Sequence, residues 1–397
     1  MTMKYDFDKI TDRRNTNSIK FDFASERGKP DGILPLWVAD MDFPAPPCVT
    51  EALVEKSRHG IFGYSESKGD YFEVLHNWFF NRFDWDIRPE WLVKTPGVVF
   101  AVTTAIRALT EKGDAVLIQQ PVYYPFSESV RVNGRKLVVN QLVSSGEKYL
   151  IDFEDFEQKI IRNGVKLFVL CSPHNPVGRV WTEDELVRLG EICRKHDVIV
   201  VSDEIHADFT YPGHRHLVFA GIRPSFSEIA VTCTAPTKTF NLASLQISNI
   251  FIENAEIRRK FRREIWKCGY SQPGIMGIIA CQAAYAGGGE WLEDLKQYLA
   301  GNLDFLRGFL LEKLPQIRLV EPEGTYLAWL DCRALGLDDK KLEDFVENRA
   351  GLWLDPGTLF GAGGEGFQRI NIACPRAFLK QALDRLEGAV NRLPARL

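Results

Sequence analysis

Ile229-Ala-Val-Thr-Cys-Thr-Ala-Pro-Thr-Lys-Thr-Phe-Asn-Leu-Ala243 decides how this chain is read. The run Ile229–Cys233 is short, bulky and partly β-branched, which predicts a buried strand, and a Ser/Thr-rich turn carrying Lys238 follows it. The same pattern recurs towards the N-terminus. Val198–Asp203 leads into Ser202-Asp203-Glu204-Ile205-His206, and Lys166–Cys171 into Ser172-Pro-His-Asn-Pro-Val-Gly178. Ala115–Gln120 leads into Pro121-Val-Tyr-Tyr-Pro125, and Lys136–Gln141 and Ile247–Ile252 are further short apolar runs. Helical periods lie between many of them, at Phe126–Val132, Phe153–Ile161 and Glu183–His196, the last preceded by Thr182 and acidic at its start. Strands alternating with helices predict an α/β fold with a mostly parallel sheet covered on both faces.

The pattern changes after about residue 288. A long helical period over Glu290–Leu314 precedes short strands near Ile317–Val320, Thr325–Asp331, Leu352–Leu354 and Arg369–Cys374. Helices at Lys340–Arg349 and Ala377–Arg392 complete an α+β arrangement. The first 45 residues read as loops outside the sheet. The expectation is a large domain over residues 46–288 and a smaller, discontinuous one from residues 1–45 and 289–397.

The chain has 397 residues, 45% of them hydrophobic, enough for a large core. Lys plus Arg number 49 against 53 for Asp plus Glu, so nothing in the charge balance calls for nucleic acid or an anionic membrane. Eight cysteines are scattered singly without a Cys-x-x-Cys pair, which suits buried free thiols in a reducing compartment. Met1–Ile10 has no apolar leader core, and no stretch approaches the ~18 apolar residues of a membrane span. A cytoplasmic protein is expected.

Two motifs mislead. Gly361-Ala-Gly-Gly-Glu-Gly366 matches the dinucleotide pattern, but it lies near the C-terminus and precedes a strand instead of linking a strand to a helix. His206, Asp208, His214 and His216 cluster in sequence without a firm third or fourth ligand, so they read as surface or loop residues and no metal is expected. The stronger signal is positional. Ligands of open α/β sheets bind beyond the carboxyl ends of the strands, where Tyr123, Asn175, Asp203 and Lys238 would meet. Taken singly they read as a packed aromatic, a turn former, a helix cap and a solvated loop lysine.

Together these residue types suit pyridoxal phosphate. That cofactor needs a lysine for its aldehyde, an acid beside its ring nitrogen, and a phosphate cradle. An aromatic can stack on its ring and an Asn amide can reach its phenolic oxygen. Thr95-Pro-Gly-Val-Val99 opens an apolar helix, Val98–Leu109, whose first amides can bind a phosphate.

The motifs at 172–178, 202–206 and 237–243 together resemble fold-type-I pyridoxal-phosphate enzymes of the class I/II aminotransferase superfamily. Trp37-Val-Ala-Asp-Met-Asp-Phe43, Gly63-Tyr-Ser65, Tyr123-Tyr124 and His206 are most similar to its cystathionine β-lyase/cystalysin subgroup. The resemblance implies a mostly parallel seven-stranded sheet in the large domain and a smaller α+β domain built from both chain ends. It implies Lys238 as the cofactor-holding and catalytic lysine, and Asp203 as partner of the ring nitrogen. Asn175 would reach the phenolic oxygen, Tyr123 would stack on the ring, and His206 would join the cofactor site. The Val98 and Val99 amides and Thr237 would hold the phosphate, and Arg369 the substrate α-carboxylate. Tyr64 would reach the phosphate of a neighbouring subunit in a homodimer. Tyr123 or Tyr124 could protonate the departing sulfur.

Two positions depart from the aminotransferase pattern. Ala235 replaces a phosphate-binding Ser and Gln246 a phosphate-binding Arg, which removes a charge-assisted contact and fits the lyase subgroup better. The expected activity is β-elimination from an L-cysteine-derived thioether. The alternatives are an aminotransferase and, ranked lower, a cofactor-binding regulatory protein acting through a protein partner.

Overall fold

The computed structural model describes residues 3–146 and 148–393, so residues 1–2 and 394–397 of the expected small domain lie outside the described residues. Seven strands form the main sheet: β1 Leu92–Thr95, β2 Ala115–Gln120, β3 Lys136–Gln141, β4 Val165–Cys171, β5 Ile199–Asp203, β6 Ala230–Thr234 and β7 Ser248–Phe251. Their order is β1-β7-β6-β5-β4-β2-β3. Strands β2 to β6 pair in parallel, and β7 runs antiparallel to both β6 and β1.

Successive side chains of a strand point to opposite faces. Here both faces are buried: Val116, Ile118, Leu167 and Val169 join one apolar cluster, while Leu117, Phe168 and Leu170 join the other. The apolar runs are therefore continuous instead of alternating with polar residues, as a helix-covered parallel sheet requires. Six of the strands match the sequence expectation within two residues at either end. β1 was not foreseen. It is only four residues long, lies at the sheet edge, and buries only alternate side chains, Val93 and Thr95.

Helix α1, Val98–Leu109, follows β1 after two intervening residues, and α2, Glu183–Lys195, starts with a capping box between Thr182 and Glu185. In the C-terminal part, α3 spans Gly289–Lys313. Four antiparallel strands follow: β8 Arg318–Val320, β9 Leu327–Asp331, β10 Asp355–Pro356 and β11 Phe367–Asn371, ordered β8-β9-β11-β10. Strand β9 begins two residues later than expected, because Thr325 takes a left-handed φ of 69°. The helix expected at Lys340–Arg349 is α-helical only over Asp339–Asp344 and widens to a π-turn over Phe345–Arg349.

The start of the chain packs on its end. Leu34–Pro35 pairs in parallel with Leu352–Trp353, and Asp42 N–H donates to the Ala373 carbonyl at 2.9 Å. The segment Trp37–Phe43 is held by two amide side chains. Asn371 Nδ2 donates to the Val38 and Asp40 carbonyls, both at 2.6 Å, and Asn241 Nδ2 donates to those of Met41 and Phe43. No helix among the described residues is long and apolar enough to cross a membrane. All eight cysteines are free and six are buried.

Candidate active site

The carboxyl ends of β2, β4, β5 and β6 open onto a cavity of about 310 Å³. It is lined by Tyr123, Asn175, Asp203, His206, Thr237 and Lys238, by Pro96–Phe100 at the start of α1, and by Ala39. Nine of the expected residues thus meet in space: these six, Val98 and Val99 in the lining, and Arg369, which reaches Asn175.

Lys238 sits in a short helical turn, Pro236–Thr239, immediately after β6. Its Nζ donates to the Ala39 carbonyl at 2.6 Å, and Tyr326 Oη donates to the same oxygen at 3.0 Å. Burial is the main influence on the amine and pushes its pKa down to about 8; Arg369 adds to the depression, while Asp40 and Asp203 oppose it. Asp203 ends β5 in the same cavity. Burial raises its carboxyl to about 7, with Glu204 adding to the rise, against a hydrogen bond from Ile205 N–H at 3.1 Å and the charge of Lys238.

Burial, then Lys238 and Arg369, push His206 down to about 3, so its ring is neutral, and its Nδ1 is buried without a hydrogen-bond partner. Tyr123 lies against Phe126 edge-on at 5.7 Å, and its N–H donates to the Asn175 carbonyl at 3.0 Å. Burial raises the Tyr123 and Tyr124 phenols above their usual range, so both stay protonated at neutral pH. Tyr124 is half-buried beside Tyr123, with ring centroids 5.5 Å apart, and is outside the cavity lining. The first amides of α1 have no intrahelical acceptor, and its N-cap residue, Gly97, supplies no side chain to cover them.

Arg369, on β11, is buried with three acceptors. Nη1 donates to Asn175 Oδ1 at 3.0 Å, Nη2 to the Trp37 carbonyl at 2.8 Å, and Nη2 also pairs with Asp355. Its Nε is buried and has no partner among the described residues. Asp355 and Tyr326 are neighbours of the site residues Arg369 and Lys238 that the sequence reading missed. An acid in the apolar run Leu352–Leu354-Asp355 was a usable signal, because a buried carboxylate requires a partner.

Tyr64 is 99% exposed and does not reach the cavity of its own chain. Ala235 is buried and has no hydroxyl to offer, and Gln246 is exposed. The histidine cluster separates. His214 is exposed, but His216 is not the surface residue expected, since it is buried with Nε2 2.8 Å from Glu204 Oε2. Asp208 accepts from Thr239 Oγ1 at 2.7 Å and pairs with Arg82. The glycine motif is a loop packed over the end of β2. A Cβ on Gly361 would strike Gln120, and one on Gly364 would strike the Gly357 carbonyl.

The family model for aminotransferase class I and II matches residues 31–386. Cystathionine beta-lyase PatB of Bacillus subtilis is 43% identical over 385 residues, which cover 97% of this chain and all of that protein. Protein MalY of Escherichia coli is 32% identical over 97% of this chain and 99% of its own length. Cystalysin from Treponema denticola, whose crystal structure contains pyridoxal 5'-phosphate, superposes with a TM-score of 0.95 at 37% identity, over 98% of this chain and 99% of that one.

Proposed function

We propose, from the premise that the chain belongs to the class I and II aminotransferase family, that it is a pyridoxal-phosphate-dependent carbon–sulfur β-lyase of the cystathionine β-lyase type. It cleaves an L-cysteine-derived thioether to pyruvate, ammonia and a thiol. One observation carries this reading: a buried lysine with its pKa near 8 shares a cavity with a buried acid, in a chain that matches a cystathionine β-lyase over its full length.

The residues present fit the cofactor. Among the described residues Asp203 has no cationic hydrogen-bond partner, and His206 Nδ1 is a buried polar atom left unsatisfied. Asn175 Oδ1 is engaged by Arg369, and its Nδ2 has no protein acceptor among the described residues, which suits donation to a phenolic oxygen. The Val98 and Val99 amides and the Thr237 hydroxyl are the phosphate donors, and Tyr123 is the stacking ring. When bound, pyridoxal phosphate supplies a sink for the electron pair left at the substrate Cα.

Lys238 Nζ takes the Cα proton, a role its depressed pKa serves at neutral pH. Asp203 holds the proton on the ring nitrogen. Arg369 orients the substrate through its α-carboxylate. As the Cβ–S bond breaks, the sulfur leaves with the bonding pair, and a protonated Tyr123 or Tyr124 stands ready to donate to it. Water then hydrolyses the three-carbon remainder to pyruvate and ammonia. We further propose a cytoplasmic homodimer in which Tyr64 of a second copy reaches the phosphate, a role that accounts for so exposed a tyrosine.

With L-cystathionine, purified enzyme should release pyruvate and a thiol in equal amounts, and light scattering should give twice the chain mass. A new amino acid formed stoichiometrically from an added 2-oxo acid, without pyruvate from cystathionine, would replace the lyase with an aminotransferase.

Asp203 also makes a pH-dependent prediction. Its carboxyl is raised from 3.8 to about 7 in the folded chain, so its contribution to stability is complete below pH 3.8 and is lost as pH rises through 7. With the cofactor removed, Asp203→Asn should melt at the wild-type temperature at pH 4 and clearly above it at pH 8. Equal melting temperatures at both pH values would show that the carboxylate carries no desolvation cost.

A further inference from the structure

We propose that Arg27 binds a carboxylate on the leaving half of the substrate, so that the preferred thioethers are those whose thiol half carries a carboxylate. This rests on the lyase reading above, and it concerns residues with no role in proton transfer.

Trp37 connects the two ends of such a substrate. Its carbonyl accepts from Arg369 Nη2 at 2.8 Å, while its ring carries the Arg27 guanidinium 5.3 Å from the centroid. The indole is itself fixed by stacking on Trp353, with centroids 4.4 Å apart and planes 13° from parallel. The turn that presents Arg27 is tied by backbone bonds: Gly28 N–H donates to Ser25 at 2.9 Å and Lys29 N–H to Ala24 at 2.8 Å. Gly28 takes the left-handed φ of 67° that this turn needs.

The local charges leave Arg27 uncompensated. Lys29 pairs with Glu347, and Asp355 pairs with Arg369. The Arg27 side chain has no ion-pair or hydrogen-bond partner among the described residues, although Glu26 and Asp31 are near it in sequence. A guanidinium held over an aromatic ring without a hydrogen-bond partner keeps N–H donors available for a planar carboxylate. Burial and then Asp355 raise the phenol of Tyr124, one of the two candidate donors to the departing sulfur, while Arg369 and Arg27 oppose the rise, so Arg27 is near enough to act on that side chain. A neutral S-alkyl group would leave Arg27 without a partner there.

The test uses calorimetry on the cofactor-loaded enzyme with two amino acids that have no leaving group, L-2-aminooctanedioate and L-2-aminooctanoate. They differ only in the distal carboxylate. Wild type should bind the dicarboxylate about tenfold tighter, as one exposed charge-assisted contact allows. Arg27→Met should abolish that preference while leaving the monocarboxylate within about twofold, and Arg27→Lys should keep part of it. The proposal fails if wild type shows no preference, if Arg27→Met retains it, or if both ligands weaken together. Pyruvate release from L-cystathionine is followed in parallel. An Arg27-dependent preference without pyruvate would retire the lyase reading and leave this subsite standing.

Discussion

Lys238→Ala is expected to lower pyruvate release by at least about 10,000-fold, the upper range for loss of a positioned acid–base group, with loss of a covalent cofactor link added. The amine is buried, donates to the Ala39 carbonyl and has its pKa pushed down to about 8, so a sizeable fraction is neutral near physiological pH. A solvated lysine, at about 10.4, would be almost wholly protonated there. Lys238→Arg separates the two things the residue brings. Arginine keeps a cation in the cavity but does not give up its proton, so this variant should be as inactive as alanine. Both should lose the absorbance band at roughly 420 nm that a covalently held cofactor gives. Lys238→Ala should stay folded, because removing a buried amine relieves a desolvation cost, whereas Lys238→Arg keeps a buried cation and should melt somewhat below the alanine variant. More than a few per cent of wild-type turnover in either variant would move the Cα proton to another base.

Lys238, Asp203 and Asn175 were legible in the sequence for a topological reason. Each follows a short apolar run directly, and parallel strands bring such ends to one edge of the sheet whatever the lengths between them. The edge strand Leu92–Thr95 was not legible, since four residues with alternate burial look like any turn before a helix. The contacts that tune the site were also hidden. Ala39 contributes only a carbonyl oxygen, which no side-chain pattern reveals, and Tyr326 reaches it from 287 residues away. Asn371 and Asn241, which fix that carbonyl's segment, look in sequence like ordinary strand and turn residues. His216 was misread because its partner, Glu204, lies on a different element, and pairing between elements is what burial of both groups requires.

Arg369 has two roles that one substitution confounds. It balances Asp355, which is buried, and in the proposed mechanism it offers the substrate α-carboxylate its Nε, the guanidinium nitrogen with no partner among the described residues. Arg369→Leu should therefore do two things. It strands the Asp355 carboxylate at a cost of about 3–5 kcal/mol, seen as a lower melting temperature. It also removes a charge-assisted contact, lowering kcat/KM by about 100- to 1,000-fold, chiefly through KM. Asp355→Asn added to Arg369→Leu resolves the two, because the amide no longer carries a stranded charge. The double variant should recover most of the lost melting temperature while kcat/KM stays at the single-variant level. Should substrate affinity return together with stability, Arg369 would be a structural counter-ion to Asp355, and the α-carboxylate would have to be bound elsewhere in the cavity. Should neither return, the leucine would have displaced Asn175, whose Oδ1 accepts from Nη1, and the Asn175–Tyr123 backbone contact would be the first place to look.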